Sequence, residues 1–403
     1  MRCKNSSEDA PYHASITRIL AIIGSEELFG QERANIEVLR AAREKGAEVK
    51  FVTSRKFGGK EIDPHLRELG FDIVKAPFGY YWGKYLLTWK FFYFFVNIYG
   101  IVSTNFIVWK EARRWKATCV YGGNWLHLSY AILGIVALRI PLVFRAGDEF
   151  PKSKVIRMLV GKPVMKRISR LVCNCEFLRS CFREIPGCPD SITVIYNHPP
   201  FRANQEKIVR KIDCGISEES NVILFVGQIT LGKGVDLLVK AALKLLEEGE
   251  DIVLWIIGSY KWNKLSSELE QIVKEKGFHM RIRFLGYRSD VASLMRRADI
   301  HVCSSIWNEP SPNVIFEAKR EGVPSVAFPV GGVPELIENK LDGVLCERKS
   351  VSGLCEGLRY FLSDKSLRAK AGRAARRSLE ERFGYERFRE EWSAVFTFPS
   401  REN

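Results

Sequence analysis

Several signatures that would settle function are missing from this sequence. No Gly-x-Gly-x-x-Gly follows a candidate strand, which excludes a dinucleotide fingerprint. No Asp-x-Asp occurs, so the chain lacks a paired carboxylate for holding a divalent cation against a nucleotide. Cys173, Cys175, Cys181 and Cys188 cluster, but without a repeated Cys-x2-Cys pair they do not spell a zinc site. The ten cysteines are scattered rather than set in a framework, so they read as reduced thiols in a cytoplasm. There is no low-complexity tract and no internal repeat. Residues 1–14 are polar and are not expected to be a signal peptide. Negative charge is also scarce: 47 acidic residues face 62 basic ones, a net charge of +15. That balance suits a nucleotide, an anionic membrane surface or nucleic acid. No nucleic-acid-binding module or basic-aromatic repeat is present, so no nucleic-acid partner is expected. At 403 residues, with 46% hydrophobic and 27% charged, the chain is long enough for two domains with separate cores.

What is present is organised around residues 303–335, CSSIWNEPSPNVIFEAKREGVPSVAFPVGGVPE. The apolar run 299–303 reads as a buried parallel strand ending in a polar loop. Ser311 looks like an N-cap with Pro312 at the first helical position, and Gly322 stops the helix. The amides of Asn313 and Val314 then fall in the unsatisfied first turn, a natural anion site. Glu309 precedes this helix and Glu317 lies about a turn into it. Carboxylates beside an anion site must face something else, and sugar or ribose hydroxyls are the obvious partners. A strand at 325–328, a Gly331-Gly332 loop and a helix opened by Pro334-Glu335 repeat the device.

The rest of the chain alternates strand and helix. Strands are expected at 19–23, 49–52, 71–74, 117–121, 142–144, 171–173 and 191–195, and again at 221–226, 252–257 and 282–285. Helices fall between them, and three more close the chain at 354–363, 366–382 and 385–396. The charged run 202–211 after Pro199-Pro200 reads as an interdomain linker. After strand 221–226 comes Gly227-Gln228-Ile229-Thr230-Leu231-Gly232-Lys233-Gly234, nearly a P-loop, but Gly234 replaces the Ser or Thr that binds magnesium. The phosphate-binding logic survives in a strand, a flexible loop, a lysine and a helix N-terminus. Residues 91–109 carry no charge and are rich in aromatics. Three readings stay open: a membrane-crossing helix, a fully buried helix, or an element that docks on a membrane interface or holds a greasy acceptor. Asn97, Gly100, Ser103, Thr104 and Asn105 weaken the first. The basic segment 152–183 reads as a solvated face or as a surface beside anionic headgroups.

Glu309-x7-Glu317, followed by Gly-Val-Pro, a strand and Gly-Gly-Val-Pro-Glu, resembles the donor site of family 4 glycosyltransferases, which are retaining enzymes of the GT-B fold. The resemblance spans residues 19–396. It implies an α/β architecture of two Rossmann-like domains with parallel sheets facing across a cleft. An acceptor-binding domain is expected over 1–200 and a donor-binding domain over 201–380, with 381–403 packing back on the first. The implied activity is retaining transfer from a UDP- or GDP-sugar to a glycan or glycolipid, without metal or other cofactor, in cell-surface polysaccharide or glycolipid biosynthesis. The protein would be cytoplasmic, with peripheral contact at the inner membrane face through residues 91–109.

By the same resemblance, Glu317 holds the ribose and Glu309 holds sugar hydroxyls. Lys233, in the Gly227–Gly234 loop, works with Pro312, Asn313 and Val314 on the diphosphate. Tyr287 and Arg288 meet the base through their backbone, and Gly30 lies against donor phosphates and acceptor. Two positions depart from the family pattern. Gln228 stands where an arginine is usual, and Gly147 stands where a histidine normally reaches the sugar. His127 and Arg145 are candidate substitutes for that histidine, and Asp148 is a candidate polar contact near the anomeric centre. A nucleotide-sugar epimerase and a catalytically inactive membrane-surface scaffold are the alternative readings.

Overall fold

A computed structural model describes residues 16–25, 28–55, 61–78, 90–199, 217, 219–258 and 264–398. The linker expected at 202–211 lies outside the described residues, as do the side chains of residues 91–94.

Two all-parallel sheets carry the fold. The first has seven strands: β1 (Arg18–Ile23), β2 (Glu48–Ser54), β3 (Asp72–Ala76), β4 (Cys119–Gly122), β5 (Leu142–Ala146), β6 (Arg170–Cys173) and β7 (Ile192–Val194), in the order β3-β2-β1-β4-β5-β6-β7. The second has six: β8 (Asn221–Val226), β9 (Ile252–Ile257), β10 (Ile282–Gly286), β11 (Ile300–Cys303), β12 (Ser325–Ala327) and β13 (Gly343–Leu345), in the order β10-β9-β8-β11-β12-β13. Every ladder is parallel, so helices must cross over and cover the faces, and the strands read as continuous apolar runs. Ile252–Ile257 is buried along its whole length, Trp255 included.

In each sheet the order reverses once, between β1 and β4 in the first and between β8 and β11 in the second. Ligands of open parallel sheets bind outside the carboxyl ends of strands at such switch points. The Gly227–Gly234 loop leaves β8, and the polar loop with Glu309 leaves β11, so both open on the second switch point. The last helix, Tyr385–Phe396, returns to the first sheet. Its Phe388, Trp392 and Phe396 join the core of Ile36, Leu39 and Phe51.

The run at 91–109 lies within one helix, Lys90–Trp115. It is not fully buried. Thr104, Asn105, Val108 and Ala112 face inward, while Phe95, Ile98, Tyr99, Val102 and Phe106 are exposed. The polar residues serve packing: Asn105 Nδ2 donates to the Tyr130 carbonyl at 2.8 Å and its Oδ1 accepts the Gly134 N–H at 2.7 Å. Asn105 thus ties this helix to Trp125–Leu138. No helix among the described residues is long and apolar enough to cross a membrane.

Candidate active site

The helix expected after Ser311 starts one residue later than the capping pattern predicts. Pro312 is the N-cap and Asn313 the first helical residue of Asn313–Glu321. The Ser311 hydroxyl does not cap; it is buried without a hydrogen-bond partner among the described residues. Proline cannot donate, and its fixed φ sets the chain direction into the first turn, so the cap rests on backbone geometry alone. Glu317, four residues past Asn313, shares its helix face.

Lys233 and Glu309 meet. They lie 76 residues apart in sequence, yet Lys233 Nζ donates to Glu309 Oε1 at 2.5 Å. The same oxygen accepts Ser305 Oγ and Trp307 Nε1, each at 2.8 Å. Lys233 ends a 3-10 turn capped by Thr230, and Gly234 follows at φ +64°. A Cβ on Gly234 would stand 2.0 Å from the Ser304 carbonyl oxygen, so the Ser or Thr of a P-loop cannot fit there. Gly227 leaves β8, its N–H bonded to the Ile257 carbonyl at 2.9 Å, and Gln228 is exposed at the loop's outer edge. Tyr287 is also exposed, just past β10. The Arg288 guanidinium is engaged by Asp290 through two bonds, at 2.8 and 2.6 Å.

The first domain faces these groups directly. Asn313 Nδ2 donates to the Gly30 carbonyl at 2.9 Å, and Asn197 Nδ2 donates to Asn313 Oδ1 at 2.8 Å. A Cβ on Gly30 would meet Asn313 at an ordinary 3.5 Å, so this contact does not by itself demand glycine. Asp148 follows β5 and reaches solvent in the cleft. The protein on both sides raises its carboxyl above the usual range. Burial is the largest cause, Arg145 opposes it, and Glu309 across the cleft adds to it. Neither candidate for the missing histidine reaches the open cleft. His127 is buried, its Nδ1 accepting the Gly24 N–H at 3.1 Å, and burial lowers it to about 4. Arg145 is buried against Asn35 Oδ1 at 3.0 Å and Asn197 Oδ1 at 2.7 Å.

Sequence reasoning passed over Ser305 and Trp307, though both lie within the stretch it singled out. It also passed over the grip of Glu335, whose carboxylate accepts the N–H groups of Glu176 and Phe177 at 2.7 and 2.8 Å and Tyr196 Oη at 2.8 Å, across the domains. A carboxylate on the N-terminus of helix Glu176–Arg183 is favoured by the helix dipole. Among the described residues no cluster of three or more His, Cys, Asp or Glu is set to hold a metal ion, and the eight cysteines there are free thiols.

Two family descriptions match the chain, one on each sheet domain: "Glycosyltransferase Family 4" over residues 30–198 and "Glycosyl transferases group 1" over residues 207–378. Both are descriptions of glycosyltransferases, and the two facing Rossmann-like domains that they match have the GT-B fold. Among curated relatives, the N-acetyl-alpha-D-glucosaminyl L-malate synthase of Bacillus anthracis is 29% identical over 51% of this chain and 53% of its own length. The lipopolysaccharide core biosynthesis glycosyltransferase LpsD of Rhizobium meliloti is 26% identical over 54% and 60%. The matched stretch covers 48% to 64% of the length of the first curated relatives. The crystal structure of Anabaena Alr3699/HepE in complex with UDP and glucose superposes with a TM-score of 0.77 at 19% identity, over 94% of this chain and 99% of that one.

Proposed function

We propose that the protein transfers a glycosyl group, with retained anomeric configuration and without an essential metal, from a UDP- or GDP-sugar to a glycan or glycolipid acceptor. The observation that carries this reading is the meeting of Lys233 and Glu309 beside the first turn of helix Asn313–Glu321, at the switch point of the second sheet. The amides of Asn313 and Val314 with Lys233 supply positive potential for a diphosphate that gains charge as the sugar leaves. Glu309 accepts sugar hydroxyls and Glu317 those of the ribose. Tyr287 and Arg288 lie at the carboxyl end of β10, two strands from β8, where the base would rest. Asp148, opposite Glu309, provides a polar contact near the anomeric centre. Calorimetry with a panel of UDP- and GDP-sugars tests the donor, and proton NMR of the product tests retention. Absence of binding across the panel refutes the donor site, and an inverted product refutes the stereochemistry.

A membrane-borne acceptor is favoured by one further observation. Phe95, Ile98, Tyr99, Val102 and Phe106 are spaced i, i+3, i+4, i+7 and i+11 and expose one face of the helix Lys90–Trp115, with Lys110, Arg113 and Arg114 exposed at its end. This pairing of an apolar stripe with cations suits peripheral docking on anionic lipid at the inner face of a cytoplasmic membrane. Flotation with vesicles tests it: salt-sensitive binding to anionic vesicles is expected, and binding to neither anionic nor neutral vesicles refutes it.

A further inference from the structure

Trp307 is gripped on two sides. Its Nε1 donates to Glu309 Oε1 at 2.8 Å. Its ring lies over Gly232 so closely that a Cβ there would stand 2.3 Å from the indole. The Gly232 carbonyl accepts the Ile306 N–H at 2.9 Å, and Ser304 Oγ donates to the Lys233 carbonyl at 2.9 Å. The loop after β8 and the loop after β11 are thereby locked into one unit whose two outputs are Lys233 and Glu309. With Lys233, Ser305 and Trp307 all on Oε1, that oxygen has no acceptor capacity to spare. No donor among the described residues reaches Oε2.

The indole is nonetheless 47% exposed. Its Nε1 edge meets Glu309, one side meets Gly232, and Lys233 Nζ stands over the ring, 6.0 Å from its centroid. The next residue, Asn308, reaches across the cleft to Glu149 Oε1 at 2.8 Å, beside Asp148. The loop that carries Trp307 thus also touches the end of β5, on the side of the cleft where the transferred sugar would lie if the site takes a nucleotide-sugar.

We propose that Trp307 is a specificity-determining residue of the sugar subsite, acting in two ways and resting on that donor-site reading. Through Nε1 it fixes the Glu309 carboxylate so that Oε2 is turned to a sugar hydroxyl. Through its exposed surface it packs against the apolar C–H face of a pyranose ring, a large rigid contact that costs little conformational freedom. The glycine at 232 belongs to the same device, since any side chain there would displace the indole.

The experiment is calorimetry of the full chain with UDP, UDP-glucose, GDP and GDP-mannose, comparing wild type, Trp307→Phe, Trp307→Ala, Gly232→Ala and the Gly232→Ala/Trp307→Ala double variant. Affinity for the free diphosphate should stay within about twofold in Trp307→Phe and Trp307→Ala. Affinity for the matching nucleotide-sugar should fall roughly tenfold in Trp307→Phe, which loses a bond to a charged acceptor, and further in Trp307→Ala. Gly232→Ala should also lower nucleotide-sugar affinity, and adding it to Trp307→Ala should cost little more of that affinity, because the two share one contact. An unchanged ratio of sugar-nucleotide to diphosphate affinity in Trp307→Ala overturns the proposal, as does an equal loss of both. If wild type binds none of the four probes, the donor-site reading itself fails and the proposal falls with it.

Discussion

Replacing Glu309 with glutamine keeps the shape of the side chain and removes its charge. Oε1 takes three donors, one of them a lysine, and the two side chains are 12% and 25% exposed. A hydrogen bond to a charged group is worth about 1.5–3 kcal/mol, and partial exposure lowers that toward about 1–2 kcal/mol for the Lys233 pair. In a domain of this size 1 kcal/mol moves Tm by about 2–4 °C, so Glu309→Gln should lower Tm by roughly 2–8 °C without unfolding the chain. Function should suffer more than stability. A carboxylate on a sugar hydroxyl, weakened to an amide, should cost roughly ten- to hundredfold in sugar-nucleotide affinity or turnover. Free nucleoside diphosphate has no sugar to lose and should bind within about threefold of wild type. Calorimetry with each diphosphate and its sugar, paired with initial rates, separates the two. Equal loss of both would mean that Glu309 serves the phosphates and not the sugar.

Glu317→Gln should weaken binding of the free diphosphate and the nucleotide-sugar alike, by about 1.5–3 kcal/mol, with the fold intact; unchanged affinity in calorimetry removes it from the ribose. Glu335→Gln should speed hydrogen exchange at the amides of Glu176 and Phe177, which it now accepts, while leaving β9 protected; unchanged exchange there would show that the grip across the domains is idle. Burial lowers His127 to about 4 and His301 to about 3, so the unfolded chain takes up protons below about pH 6.5 that the folded chain refuses. Stability should therefore be full above pH 6.5 and fall toward pH 4, and His301→Gln should flatten the urea-denaturation slope between pH 7 and 5. An unflattened slope would place the uptake elsewhere. Transfer should persist in excess EDTA, and a complete, magnesium-reversible loss would call for a different donor site.

The alternation of the chain was legible because parallel strands buried on both faces must be apolar throughout, and runs such as 221–226 and 252–257 are bounded by turns on each side. Boundaries slipped by a residue or two where short polar residues could serve either cap or loop, as at Ser311 and Pro312. Strand Gly343–Leu345 escaped notice because three residues between Asp342 and Cys346 carry no periodic signal. Residue types at the site were legible, but their partners were not. Nothing in the sequence says that Lys233 pairs with Glu309, since that contact depends on β8 and β11 being neighbours. Nor does it say that Asn105 ties two helices together where a membrane-crossing reading had treated it as a flaw. Burial decides whether a lone histidine is chemistry or core, and His127, packed under Gly24, is core.

The two departures from the family pattern acquire physical reasons in this arrangement. A side chain at Gly147 would start with a Cβ 3.0 Å from Arg145 Nη1 and 3.2 Å from Gln31 Nε2, so a histidine there would need both side chains to give by a few tenths of an ångström. Arg145 is buried and aimed at Asn197, which in turn holds Asn313 at the first turn of helix Asn313–Glu321. Through Asn197, Arg145 thus helps to hold one domain against the other. At the other departure, Gln228 leaves Lys233 as the cation of its loop, and Lys233 already rests on Glu309. If the loop takes a diphosphate, as proposed above, Lys233 is the cation that meets it, and the Lys233–Glu309 ion pair then links the phosphate end of the site to the sugar end.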